Sequence, residues 1–142
     1  MRNEISISIA APPERVWAVM TDVERWPEWT RTVSESRRLD SGDFRLGSRA
    51  ELKQPRIPKL TWTVSALEDG SSFEWRTRAP GVSTVAGHAV VQEDTGSRAT
   101  LWVEQTGLLI KLMGGRFSRM ADEYLAIEAE GLKHRSEGAP AD

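Results

Sequence analysis

The chain contains no cysteine among its 142 residues. That absence excludes a disulfide framework, a thiolate-held metal and a cysteine nucleophile, and it fits a reducing cytoplasm. Histidine is almost as scarce: only His88 and His134 are present, far apart in sequence. With no His-x-x-x-His pair and no carboxylate-rich loop, no metal-ligand spacing exists, and neither a metal nor a cofactor is expected. Long hydrophobic runs are missing too. No stretch approaches the roughly 18 apolar residues of a membrane span, and the opening MRNEISISIAAPPERV lacks the apolar block of a leader. The expectation is a cytoplasmic protein without membrane insertion. Neither sign of charge dominates, at 19 basic against 21 acidic residues and a net charge of −2. The charges are mixed along the chain and form no basic stripe, which argues against nucleic acid as a partner.

What the chain does have is tryptophan, six of them against one tyrosine and three phenylalanines. Tryptophan is bulky and its N–H needs a partner when buried, so a small domain with this composition either packs a very aromatic core or lines a hollow. The length suits one domain with a core of its own.

Residues 4 to 10 place Ile5, Ile7 and Ile9 at period two with serines between, the pattern of a half-buried strand. Ala11-Pro12-Pro13 stops it and suits a helix start, with Glu14 at the positive end and Val16, Trp17, Val19 and Met20 facing inward. Thr21-Asp22 is placed to cap a second short helix that ends near Trp26, before Pro27. The runs 31–39, 46–54, 59–68, 72–79, 83–93 and 98–106 are short, β-branched or aromatic, and separated by turn residues. Several alternate cleanly: Leu60, Trp62 and Val64 share one face, as do Phe73, Trp75 and Thr77, and Ala99, Leu101, Val103 and Gln105. An α+β domain follows, with an antiparallel sheet of six to seven strands, wet on one face. Residues 108–135 carry the long helical pattern, with Leu109, Met113, Phe117, Met120, Tyr124, Ile127 and Gly131 in its stripe. Gly114-Gly115 within it has no phosphate-loop context and reads as a softened turn or a close contact. The domain is expected over 1–135, followed by a flexible tail at 136–142.

The block Ala11-Pro-Pro-Glu-Arg-Val-Trp17, the run Asp22-Val-Glu-Arg-Trp26-Pro27-Glu-Trp29, then Trp62-Thr-Val64, Ser72-Phe-Glu-Trp75 and Gly96-Ser-Arg-Ala-Thr100 precede a closing amphipathic helix. In this order they resemble the helix-grip superfamily, and within it the bacterial polyketide cyclase/dehydrase and lipid-transport branch, related to the START domains and the major birch pollen allergen. The resemblance covers residues 3 to about 134, and Trp-Pro-x-Trp is its most specific part. It implies a curved sheet wrapped around the last helix and a deep pocket between them for a lipid, sterol, polyketide or other apolar molecule. It implies no particular reaction, since such folds host binders, transporters and cyclases alike.

The residues alone leave core and pocket open for the inward set of Trp62, Phe73 and Trp75 on strands and Met113, Phe117, Met120 and Tyr124 on the helix. Val90, Leu101, Val103 and Gln105 join them as ligand-binding candidates from the strand faces. Trp26 and Trp29 flank Pro27 where rings would close one end, and Arg116 is placed to meet an acidic head at the mouth. His88 and Tyr124 are the candidates for proton transfer. The direction of His88 is ambiguous, because both faces of its strand are apolar. Trp102 falls on the wet face and is a candidate contact with another chain; a homodimer is a candidate assembly. The reading is a binder of an apolar small molecule, with cyclase/dehydratase chemistry if it is an enzyme. The alternative is a partner-binding or regulatory module with a vestigial pocket, and a cavity of roughly 300 Å³ or more favours the first.

Overall fold

The computed structural model describes residues 1–138. Strand β1 (Arg2–Ile9) leads into helix α1 (Pro13–Thr21) and a short 3-10 helix (Val23–Glu28). Six strands follow: β2 (Glu35–Arg38), β3 (Arg49–Gln54), β4 (Ile57–Glu68), β5 (Ser72–Ala79), β6 (Val82–Glu93) and β7 (Gly96–Thr106). Helix α2 (Leu108–Glu137) closes the fold. All seven strands form one antiparallel sheet in the order β1-β7-β6-β5-β4-β3-β2, the helix-grip architecture expected of the sequence.

The alternation read from the sequence sets the inner face. Ile9, Trp62, Val64, Phe73, Trp75, Val90, Ala99 and Leu101 are all buried. Register irregularities at Leu52/Gln54 and Val64/Ala66 bend the sheet, as extra residues in a ladder do. Asn3 begins the inner face of β1 and donates to Ser118 Oγ and Asp122 Oδ1, both at 2.9 Å, which ties the sheet edge to the middle of α2. The backbone of α2 rests mainly on β1, β7 and α1. The helix is thus seated on one side of the curved sheet, and β3 to β5 curl away from it.

Three local expectations are revised. Asp22 makes no capping side-chain bond, and the turn it precedes is a 3-10 helix that carries Pro27 inside and runs on to Glu28. The deeply buried stripe of α2 is Leu125, Ala129, Leu132 and Ser136, about one residue round from the one expected, and the helix is kinked at Met113 (φ −130°, ψ 27°). The helix also continues to Glu137, where the tail was expected to begin at 136; residues 139–142 of that tail lie outside the described residues. The join between β7 and α2 needs Gly107, at φ 123°. A Cβ there would sit 2.4 Å from the Gly81 carbonyl oxygen in the β5–β6 turn.

Candidate functional site: an internal pocket

A cavity of about 430 Å³ lies between the concave sheet face and α2. Its existence follows from side-chain size and from how the helix is seated. On β6 the inward residues include Thr84 and Ala86, and on α2 Ala121 faces the same space; these three are too small to fill the gap left by the curl of the sheet. Larger groups supply the walls. Trp26, Trp62 and Trp75 pack as a connected aromatic surface, with Trp26–Trp75 ring centroids 5.3 Å apart and Trp62–Trp75 5.7 Å. Phe117 and Met120 face them from the helix.

Of the residues expected at the site, Leu101, Val103, Gln105 and Tyr124 also line this space. Five do not. Phe73 is buried beneath the wall, packed by Trp17, Phe44 and Trp75. Val90 is buried one inward step beyond His88 and away from the cavity. Trp29 packs on the Trp26 ring, and its carbonyl approaches α2 so closely that a Cβ on Gly131 would lie 2.1 Å from it. Met113 sits at the helix kink and is exposed, and Arg116 is exposed on the outer side of the helix.

His88 points inward, which resolves its ambiguous strand. The imidazole is 5% exposed and lies flat on Phe73, at 4.3 Å between ring centroids and 12° between planes. Trp26 flanks it at 5.3 Å. Across the cavity, Glu128 Oε1 stands 3.8 Å from its Nε2. Glu128 escaped the sequence reading, although a signal was present: it is an acid in helical step with Phe117, Ala121, Leu125 and Leu132. Leu52 and Gln54 of β3 were missed too, as was the hairpin Arg56-Ile57-Pro58.

The cavity is apolar with polar points. Trp62 Nε1, Gln105 Oε1 and His88 Nδ1 are each buried with no hydrogen-bonding partner among the described residues. Leaving such an atom unpaired costs about 1–3 kcal/mol, and all three belong to residues of the cavity wall. His88 pairs in register with Leu101, and Thr84 with Gln105. Four residues of strand separate the two polar points by about 13 Å. The exposed Arg56, Pro58 and Pro80 mark the solvent end, and Arg56 meets Glu123 of α2 at 3.7 Å. The Tyr124 hydroxyl donates to the Pro55 carbonyl and holds α2 to the β3–β4 hairpin.

Residues 2–137 match the protein family described as polyketide cyclase / dehydrase and lipid transport. The chain belongs to this family. No curated protein matches it. Among solved structures, it is similar to a START superfamily protein from Mycobacterium smegmatis, with a TM-score of 0.81 at 15% identity over 96% of this chain and 97% of that one. The protein TTHA0849 from Thermus thermophilus gives 0.78 at 16% identity over 96% and 97%. The di-domain ARO/CYC BexL of the BE-7585A biosynthetic pathway gives 0.78 at 16% identity, over 96% of this chain and 46% of that one. At these identities the likeness is one of fold.

Trp102 belongs to the outer face, yet the chain partly covers it. Its ring packs over Gly87, its N–H donates to Glu74 at 3.1 Å, and the Arg2 guanidinium lies 5.3 Å from the ring centroid. Among the described residues no group of histidine, cysteine and carboxylate side chains could hold a metal ion, and no helix is long and apolar enough to cross a membrane.

Proposed function

We propose that this protein binds an apolar small molecule, of polyketide, lipid or sterol-like kind, in the cavity between sheet and helix. The observation that carries the reading is the cavity itself: about 430 Å³, walled in part by the indoles of Trp26, Trp62 and Trp75, by Phe117 and by Met120. That volume is in the range of small-molecule sites and weighs against a partner-docking module with a vestigial pocket. Membership of a family described by cyclase, dehydrase and lipid transport supports the same ligand class, as does the likeness to an ARO/CYC protein. A cyclisation or dehydration here would rest chiefly on folding a reactive chain against rigid aromatic walls, with His88 and Glu128 as the proton-exchanging pair.

The indoles of Trp26, Trp62 and Trp75 provide the assay. Titration with naphthalene should quench part of the tryptophan emission saturably, and the bound probe should raise the unfolding midpoint as any ligand of the native state does. Linear, non-saturating quenching with no shift in the midpoint would contradict the reading.

A further inference from the structure

We infer that the buried end of the cavity is a hydroxyl-recognition site made by His88 and Glu128, so that the ligand is an apolar ring system carrying a phenol, enol or alcohol group; this rests on the cavity being a ligand site. The two side chains come from opposite walls, β6 and α2, and are 6% and 13% exposed. Their 3.8 Å separation is too long for a direct hydrogen bond. It is short enough for one oxygen to sit about 2.8 Å from both atoms.

The chemistry of the two edges selects that oxygen. Nε2 is the ring nitrogen facing the carboxylate and is placed to donate, while Glu128 Oε1 accepts. The bridging atom must therefore accept one hydrogen bond and donate another. A hydroxyl does both, whereas a carbonyl or ether oxygen cannot donate, an ammonium cannot accept, and a carboxylate would meet the like charge of Glu128. Stacking on Phe73 and the flank of Trp26 hold the imidazole edge in place. Those same aromatic walls favour a flat ring behind the hydroxyl.

The test compares 2-naphthol with naphthalene, which share a ring system and differ by one hydroxyl. Affinities for the full chain and for His88→Leu, Glu128→Leu and Glu128→Gln are read from tryptophan quenching, with thermal unfolding identifying any variant that does not fold. The naphthol-to-naphthalene affinity ratio should fall about tenfold or more in both leucine variants, since hydrogen bonds to charged groups are among the stronger ones. Glu128→Gln keeps the shape and an acceptor but not the charge, and should lower the ratio by about threefold; it decides the matter if the leucine variants do not fold. An unchanged ratio in the folded variants overturns the hydroxyl site while leaving the cavity reading intact. A wild-type chain that binds naphthalene but not 2-naphthol overturns the hydroxyl site alone, and failure of both probes to bind overturns both.

Discussion

Phe73 and Phe117 carry the same ring on opposite sides of the molecule, and their surroundings give it different weight. Phe73 is 1% exposed and touches Trp17, Phe44, Trp75 and His88. Phe117 is half-buried, with the cavity on one side. Truncating a filled-core phenylalanine costs about 3–5 kcal/mol, and a ring beside a void has fewer contacts to lose. Phe73→Ala should therefore fall in that range and Phe117→Ala below it, as measured by urea unfolding. Gly87 makes a second case, because a Cβ there would lie 1.9 Å from Trp102 Cε2. Gly87→Ala should cost about 1–3 kcal/mol through overpacking, and much less when combined with Trp102→Ala, so a double-mutant cycle shows the coupling. At this scale alternation read the inner faces well where polar and apolar residues alternate strictly, as at Trp62 and Trp75. It was silent where both faces are apolar, and the direction of His88 depends on its stacking partner from the neighbouring strand, which no local pattern encodes.

Helix α2 shows what periodicity can and cannot tell about an element. The stripe announced a long helix lying on the sheet, and that helix is present. The buried face lies about one residue round from that stripe, and the kink at Met113 is not legible from spacing, whereas Glu128 stands in helical step with Phe117 and Ala121 of the cavity wall. Gly114 and Gly115 follow the kink directly; a Cβ on Gly115 would meet nothing within 4 Å, so close packing does not account for it. Gly115→Ala should thus stabilise the fold by about 0.5–1 kcal/mol through helix propensity, measured by denaturant unfolding. At the other end, the Glu137 carboxylate accepts the Ala10 N–H at 2.8 Å and pairs with Lys133, and these contacts hold it below the ordinary carboxylate range. A carboxylate lowered in the folded state contributes stability above its unfolded pKa of about 4, and loses it as pH falls through the lower folded value. The stability gap between wild type and Glu137→Gln should accordingly be full at neutral pH and close in acid; a gap that persists unchanged well below about pH 3 would contradict this role.

For the molecule as a whole, the strand–helix order, the one-sided sheet and the closing helix were all legible, because each rests on a local period or a turn signal. The cavity was not. It arises from small residues on β6 and α2 that face one another only after the sheet has curled, and from a helix seated on β1 and β7 rather than over the middle of the sheet. Ala86 lies on that inner wall, in register with Trp75 on one side and Val103 on the other. Ala86→Phe would place a ring in the space a ligand needs. Native mass spectrometry of gently purified wild type and Ala86→Phe shows whether the cavity carries a ligand. A discrete mass excess is expected on the wild-type chain, released on denaturation as an apolar molecule and missing from the filled variant. A wild-type chain that flies at its bare mass, or a variant that carries the same excess, would contradict that expectation.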